Sequence, residues 1–358
     1  MIVMGAGHST SPGAGPFHGD PRPPRGLGRR YALLGGAALL GGCTTLATPP
    51  GQPVRVPGLD DDAFVMPDGG RLPYRAWLPD GPPSAMMLAL HGFNDSRNAW
   101  EIPAPDFAAA GIALYSPDQR GFGAAPGRGL WAGADGLAED AGAMARLLQR
   151  RHPGVPLYLM GESMGGAVLM HMATRPDPPE VAGYVLVAPA VWGRARMNVL
   201  LRSSLWLAAT LAPGLVITGP PPIVRVRASD NLDALIRLSR DPLTMHGTRF
   251  DTLRGLVDLM DAALAAAPRF AAPALLLYGA KDELVPKQAT RATWQAVPQG
   301  DARMAYYPNG YHLLMRDLER ALPIRDTIAW IADPTTRLPS AADRAALAWL
   351  ETPGQRSG

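Results

Sequence analysis

The stretch that most constrains this chain is Gly-Glu-Ser-Met-Gly-Gly at residues 161–166. An apolar run at residues 156–160 precedes it, and a run with helical spacing begins near Ala167. A G-x-S-x-G pattern at a strand-to-helix junction indicates a nucleophile elbow, a turn so tight that its flanking positions tolerate only small residues. The serine hydroxyl of such a turn is exposed above the sheet. Ser163 is therefore the candidate nucleophile, and the alternative is a glycine-rich turn that holds an ordinary serine.

Short apolar runs recur on both sides of this motif and predict buried strands. They lie at residues 85–90, 112–115, 184–187, 274–278 and, more weakly, 304–307. Residues 64–66 and 72–78 flank Asp68-Gly69-Gly70, which predicts a hairpin, and residues 137–148 have a helical pattern. Buried strands that alternate with helices predict an α/β fold with a mostly parallel, doubly wound sheet.

The alternation stops between residue 189 and about residue 273. Helical patterns at residues 192–215, 232–238 and 253–264 predict a helical insertion at about residues 191–269. One interpretation is that these helices only cover the core. The other, which we favour, is a cap that contacts an apolar substrate, with Leu205 and Trp206 as candidate substrate-binding residues.

A catalytic serine on such an elbow requires an acid and then a histidine further along the chain. Only three histidines follow Ser163. His171 falls within the predicted elbow helix and His246 within the insertion. His312 follows the last predicted strand, where a loop can carry an imidazole over Ser163, so His312 is the candidate base.

The acid is expected in the turn after the preceding strand, which contains Asp282 and Glu283. We favour Asp282, whose carboxylate would hold the His312 ring in the correct tautomer, and Glu283 is the competitor. The oxyanion hole requires two backbone N–H donors, and the usual positions are those of Phe93 and Met164. His91 is interpreted as structural.

The N-terminal region has the pattern of an export signal. Arg25, Arg29 and Arg30 precede an apolar stretch at residues 31–40, which is too short to span a bilayer stably. We predict an N-terminal extension with a signal peptide over residues 1–42, a linker over residues 43–59 and the main domain over residues 60–358. The pair Arg29-Arg30 leaves twin-arginine export open beside the general route.

Leu-Gly-Gly-Cys at residues 40–43 resembles the lipobox of bacterial lipoproteins. That resemblance implies that Cys43 is lipidated and that the chain is anchored in the bacterial cell envelope, facing the periplasm. The outer membrane is preferred, because Thr44 does not resemble an inner-membrane retention signal. A plain signal peptide in which Cys43 falls by accident is the alternative.

Composition excludes several other classes. The net charge is only +3 over 358 residues, and the arginines alternate with acids, so we expect no nucleic-acid partner. Cys43 is the only cysteine, which excludes an internal disulfide. No cluster has metal-ligand spacing and no phosphate-binding loop is present, so we expect no metal and no cofactor.

These motifs together resemble the α/β-hydrolase superfamily, and within it the monoacylglycerol lipase and lysophospholipase (serine aminopeptidase S33-like) group. The matching pieces are His91-Gly92-Phe93, residues 118–123, the elbow, Asp241-Pro242-Leu243, the Asp282 turn and Gly310-Tyr311-His312. The chain departs from the group after His91-Gly92, where Phe93-Asn94-Asp95 replaces the usual second glycine and acidic residue.

The resemblance implies a serine ester hydrolase that acts on a lipid or small ester, with an inserted helical cap. A carboxylesterase or peptidase acting on non-lipid substrates stays open, because a fold and a triad do not determine the substrate. A non-catalytic envelope lipoprotein is the alternative from a different class.

Overall fold

The computed structural model describes residues 47–218 and 226–352. The predicted signal peptide and Cys43 lie outside the described residues. The predicted linker is described from residue 47, and its described part lies against the main domain. The Thr48 N–H donates to the Trp131 carbonyl at 2.6 Å, and the Val54 N–H donates to the Pro67 carbonyl at 2.8 Å. The end of the predicted linker is thus held to the domain by backbone hydrogen bonds.

The strands form one nine-stranded sheet and one two-stranded sheet in the described residues. They are β1 (Gly58–Leu59), β2 (Ala63–Val65), β3 (Arg71–Trp77), β4 (Ala85–Leu90), β5 (Ile112–Pro117), β6 (Leu157–Glu162), β7 (Gly183–Val187), β8 (Val216–Thr218), β9 (Gly247–Arg249), β10 (Ala274–Gly279) and β11 (Ala302–Tyr307). The large sheet has the order β1-β2-β3-β5-β4-β6-β7-β10-β11, and β8 pairs with β9.

The large sheet is mostly parallel, as predicted. All neighbouring pairs from β5 to β11 are parallel, and β3 joins β5 antiparallel. β2 and β3 form the predicted hairpin, with Phe64 opposite Leu72. The strand order reverses around β4, and β6 lies near the middle of the sheet. In doubly wound sheets, ligands bind at the carboxyl ends of the strands near such a reversal, which is where β6 ends.

Helices cover both faces of this sheet. The α-helices of the described residues are α1 (Ala104–Ala109), α2 (Ala134–Arg151), α3 (Met164–Ala173), α4 (Val199–Leu211), α5 (Leu232–Arg240), α6 (Phe250–Ala266), α7 (Lys287–Ala296), α8 (Ala321–Ala332) and α9 (Ala342–Glu351), of which α4 and α5 belong to the inserted segment and do not cover the sheet. Alternate strand residues enter different cores: Leu159 packs in the cluster that includes α2 and α3, and Met160 in the cluster that includes α1 and α8. Burial on both faces explains why these strands are continuous apolar runs.

The segment between β7 and β10 contains α4, α5 and α6 together with the small sheet. Helix α4 is shorter than the helical pattern at residues 192–215 suggested. It begins at Val199 because the Asn198 side chain accepts the Leu201 N–H at 2.8 Å, and it ends two residues before Pro213. Across residues 47–218 and 226–352, no helix combines the length and the apolar character that crossing a membrane requires.

Candidate active site

Ser163 lies in a strained turn between β6 and α3. Its φ is 52° and its ψ is −113°, a left-handed backbone that residues with a side chain rarely adopt. The flanking glycines make the turn possible. A Cβ on Gly161 would lie 2.5 Å from the Gly165 carbonyl carbon, and one on Gly165 would lie 2.4 Å from the Leu90 carbonyl oxygen. The close packing explains the small residues of the motif, and the strain lies at the candidate nucleophile.

His312 and Asp282 form a buried pair beside this turn. The His312 Nδ1 lies 2.8 Å from the Asp282 Oδ2, and both side chains are almost fully excluded from solvent. The other carboxylate oxygen of Asp282 accepts the N–H groups of Leu284 and Val285 at 2.8 and 2.9 Å. Because an ionised carboxylate only accepts, the His312 proton is assigned to Nδ1, which leaves Nε2 with a free lone pair.

The charge of Asp282 also changes how readily His312 takes up a proton. Burial alone lowers the pKa of His312, but the charge of Asp282 and its hydrogen bond outweigh that effect. Glu162 adds to the increase and Arg316 opposes it, and the net result is a pKa above the usual histidine value. His312 is therefore a stronger base than an exposed imidazole.

The residues predicted to donate to the oxyanion, Phe93 and Met164, both lie near Ser163. Met164 is the first residue of α3, so its N–H precedes the first hydrogen bond within the helix. Phe93 lines the same cavity as Ser163, and a Cβ on the neighbouring Gly92 would lie 3.4 Å from the Ser163 Cβ. The loop after β4 is thus held directly against the candidate nucleophile.

Ser163 and His312 open into a cavity of about 520 Å³. Most of its wall is apolar. The inserted segment contributes Trp192, Met197, Leu238, Met245, Leu253, Leu256, Val257 and Met260. These side chains come mainly from α6 and the loops beside it.

Leu205 and Trp206, the predicted substrate-binding residues, do not line this cavity. They line a second cavity of about 410 Å³ between α4 and α6, which shares Met197 and Val257 with the first. The structure thus places these two residues outside the Ser163 cavity, and their role in substrate binding stays a prediction. Apolar periodicity identified α4 as an amphipathic helix, but it does not specify which helix of the insertion faces Ser163.

Three charged residues at the floor of the cavity were missed by the sequence analysis. Arg316 donates from Nη1 to the Asp95 Oδ2 at 2.8 Å, and its Nη2 pairs with the Glu162 carboxylate. All three side chains are buried. Burial raises the pKa of Glu162, and the charge of Arg316 partly offsets that rise. A charged residue at the end of a buried strand requires a partner, and that was the signal available at Glu162.

The remaining candidates have contacts of other kinds. His91 is fully buried, where its Nδ1 lies 2.7 Å from the Gly92 carbonyl and its Nε2 accepts the Gln119 N–H at 3.0 Å. Glu283 accepts the Arg227 N–H at 2.7 Å. His171 lies 2.9 Å from Asp135 on the outside of α3. Within the described parts of the chain, no three His, Cys, Asp or Glu side chains converge as metal ligands would.

The chain is similar in sequence to known proteins. A family model for serine aminopeptidase, S33, matches residues 81–319, well over half of the 358 residues. The monoacylglycerol lipase of Mycolicibacterium smegmatis is 27% identical over 283 residues, which cover 76% of this chain and 96% of that protein. The monoglyceride lipase of Rattus norvegicus is 26% identical over 278 residues, which cover 76% of this chain and 89% of that protein.

Two solved structures are similar in fold. The monoacylglycerol lipase of Paleococcus ferrophilus superposes with a TM-score of 0.62 at 23% identity, covering 74% of this chain and 99% of its own. A soluble variant of the monoglyceride lipase of Saccharomyces cerevisiae, in complex with a substrate analog, gives 0.65 at 20% identity, covering 81% and 99%. The elbow and the His312–Asp282 pair both lie within the region that the family model matches. The fold is that of the α/β-hydrolases, and the chain belongs to the serine aminopeptidase S33 family.

Proposed function

We propose that this serine ester hydrolase cleaves the acyl ester of a monoacylglycerol or a lysophospholipid, with Ser163, His312 and Asp282 as its catalytic triad. The observation that carries the proposal is the buried His312–Asp282 pair beside a strained Ser163, at the floor of a largely apolar cavity. An intact pair of this kind argues against a non-catalytic lipoprotein, because such a protein does not require a buried carboxylate that is bound to a histidine.

The proposed mechanism gives each of these groups one role. The Ser163 Oγ attacks the acyl carbonyl carbon while the His312 Nε2 takes the hydroxyl proton. Asp282 stabilises the imidazolium that forms. The N–H groups of Phe93 and Met164 bind the oxyanion of the tetrahedral intermediate. His312 then gives the proton to the leaving alcohol, which leaves an acyl-enzyme. A water molecule attacks the acyl-enzyme while His312 takes up its proton, and His312 returns that proton to the Ser163 Oγ as the fatty acid is released.

The cavity wall supports a lipid acyl chain as the group that is transferred. A volume of about 520 Å³ lies within the range of ordinary small-molecule sites. Burial of methylene groups against Leu253, Leu256 and Met260 would contribute about 0.8 kcal/mol for each group. The relatives named monoacylglycerol and monoglyceride lipases support the same substrate class.

A peptidase activity, which the family description suggests, is less favoured by the charges at this site. An aminopeptidase would need an acidic side chain that is free to bind the α-amino group of its substrate. Both carboxylates of the cavity wall near Ser163, those of Asp95 and Glu162, are paired with Arg316. The cavity is therefore better suited to an uncharged ester than to a peptide N-terminus.

We also propose that the enzyme works at the surface of a membrane, anchored in the bacterial envelope through lipidated Cys43. The lipobox resemblance supports the anchor, and the exposed apolar side chains of α4 support contact with lipid. Radiolabelled palmitate should enter the wild-type protein in a bacterial host and be lost in Cys43→Ser. An unlabelled wild-type protein would rule out the anchor and leave the hydrolase assignment untouched.

The substrate class is tested with a panel of purified compounds. We expect hydrolysis of monoacylglycerols and lysophospholipids, no hydrolysis of aminoacyl p-nitroanilides, and no activity on any compound in Ser163→Ala. Cleavage of the anilides at rates above those of the lipid esters would identify a peptidase. Activity limited to acetyl esters would instead identify a small-ester carboxylesterase.

A further inference from the structure

The second cavity, between α4 and α6, has a different chemical character from the first. Its volume is about 410 Å³, and Leu205 and Trp206 form part of its wall. Three guanidinium groups, those of Arg194, Arg202 and Arg254, line it together with the single acid Asp258. By contrast, Arg316 is the one arginine among the described residues of the Ser163 cavity wall, and it forms ion pairs with Asp95 and Glu162.

The three arginines are not equivalent. Arg194 is held by Asp258 and by Asp261, whose carboxylate accepts from Nη1 at 2.5 Å and from the Arg194 backbone N–H at 2.8 Å. Its charge is thus already compensated. No hydrogen bond or ion pair engages the guanidinium of Arg202 or of Arg254 among the residues that the structure describes. Two positive charges without a partner among the described residues therefore lie in a wall that also contains Leu205 and Trp206.

The second cavity adjoins the first. Met197 and Val257 line both, so a single layer of side chains divides them. Methionine is an adaptable divider, because its unbranched side chain has three rotatable bonds. Movement of the Met197 side chain would join the two cavities, so that a single-chain amphiphile would place its chain in the Ser163 cavity and its polar end at Arg202 and Arg254.

We propose that this second cavity binds the anionic group of a single-chain amphiphile through Arg202 and Arg254. The inference rests on the proposed function. It adds a preference for acyl lipids that carry a negative charge, which the proposed function does not specify. The anion can be the phosphate of a lysolipid substrate or the carboxylate of a released fatty acid. Both anions present two or more oxygen atoms, and a planar guanidinium group can donate two parallel hydrogen bonds to such a group.

The expected size of the preference is modest, because Arg202 is exposed and Arg254 is partly exposed. Exposed ion pairs contribute about 0.2–1 kcal/mol each, so two of them give an affinity advantage of about tenfold over a neutral amphiphile. A phosphate monoester carries a charge of about −1.5 to −2 near pH 7 and should gain the most. Added salt should reduce the advantage, since these charges are open to solvent.

The test measures binding without catalysis. Calorimetry on full-length Ser163→Ala protein compares three ligands of equal chain length, each below the concentration at which it forms micelles: dodecyl phosphate, dodecanoate and the neutral 1-O-dodecylglycerol. We expect at least one anion to bind about tenfold more tightly than the neutral ether. A phosphate preference would assign the site to a substrate head group, and an equal or greater carboxylate preference would assign it to the fatty-acid product.

Matched variants locate the effect. Arg202→Gln with Arg254→Gln, in the Ser163→Ala background, should remove the advantage of the anions and leave the affinity of the neutral ether unchanged. Arg196→Gln removes a nearby exposed charge that does not line the cavity, and it should keep most of the advantage. Equal affinity for all three ligands, or an equal loss in Arg196→Gln, would overturn the proposal.

Failure here is distinguishable from failure of the proposed function. If the catalytic proposal is wrong, wild-type protein will not hydrolyse lipid esters, whatever the result of calorimetry. If only the anion site is wrong, wild-type protein will hydrolyse monoacylglycerol, while calorimetry will show no advantage of either anion over the neutral ether. The double arginine variant will then show the same relative affinities as its Ser163→Ala parent.

Discussion

The central sheet and the inserted segment use apolar residues in opposite ways. Every residue of β4, β5, β6 and β10 is buried. In α4, most of whose residues are also apolar, only Ala209 is buried, whereas Leu200 is 80% exposed, Trp206 56% and Leu211 75%. The apolar residues of the sheet thus stabilise the fold, while those of α4 contribute little to it. Exposed apolar area of this extent is typical of a surface that meets a ligand or a lipid.

The charged groups show the same division. The ion pairs of the floor near Ser163 are buried and connect three distant parts of the chain through Asp95, Glu162 and Arg316. In the inserted segment, Arg202 and Arg254 remain uncompensated among the described residues. We therefore expect substitutions near the sheet to alter catalysis and stability, and substitutions in the inserted segment to alter substrate selectivity.

After Ser163→Ala, the largest effect of a single substitution is expected at Asp282. In Asp282→Asn the amide cannot hold the reactive tautomer of His312, and kcat should fall by about 10⁴-fold with little change in the unfolding transition. Glu283→Gln is the matched control and should retain activity, because its carboxylate contacts the Arg227 N–H instead. A strong loss in the control with an active Asp282→Asn would transfer the role to Glu283.

The pH profile adds a second readout for the same pair. Protonated His312 cannot act as a base, so wild-type kcat/KM should fall on acidification through a pKa above the usual histidine value of about 6.5. The negative charge of Asp282 raises that pKa, so its loss in Asp282→Asn should move the acid limb to lower pH. An acid limb that does not move would show that another group is being titrated.

The buried ion cluster should dominate the stability of the site. Arg316→Ala leaves Asp95 and Glu162 buried without a cation, which should lower the free energy of unfolding by about 3–5 kcal/mol. Arg175→Ala removes two surface pairs, with Asp135 and with Glu139, and should cost no more than about 1–2 kcal/mol. Urea unfolding of both variants measures the difference, and equal costs would remove the distinction between the two kinds of ion pair.

Chain-length selectivity should follow the wall of the Ser163 cavity. Four additional carbons can gain up to about 3 kcal/mol, or ~200-fold in kcat/KM, between butyryl and octanoyl esters. Leu256→Ala with Met260→Ala should flatten this profile, while Leu205→Ala with Trp206→Ala should leave it unchanged. A flattened profile in the second double variant alone would return the acyl site to α4.

The smallest effect is expected on the outer face of α4. Leu200→Ser should change the free energy of unfolding by no more than about 0.5 kcal/mol, because Leu200 makes little contact with the protein. Leu159→Ala, at a wholly buried position of β6, should cost about 2–5 kcal/mol. Comparable costs for the two would show that α4 packs against the fold more closely than its exposure suggests.

The sequence predicted the sheet and the order of the site residues because both depend on local signals. Continuous apolar runs identified the buried strands, and Gly161 and Gly165 identified the turn whose close packing excludes a side chain. It did not predict the Arg316 cluster, because Asp95, Glu162 and Arg316 are far apart in the chain. It also did not predict which helix of the insertion faces Ser163, since amphipathic periodicity gives a face but no partner.

Active-site labelling is the sharpest test of whether Ser163 is the nucleophile of a lipid ester hydrolase. A fluorophosphonate probe should label wild-type protein at Ser163, as read by peptide mass spectrometry, in proportion to the loss of monoacylglycerol hydrolysis. Ser163→Ala should take up no probe and should lose about 10⁶-fold in kcat. Label at another residue, or full hydrolysis by Ser163→Ala, would show that Ser163 is not the nucleophile.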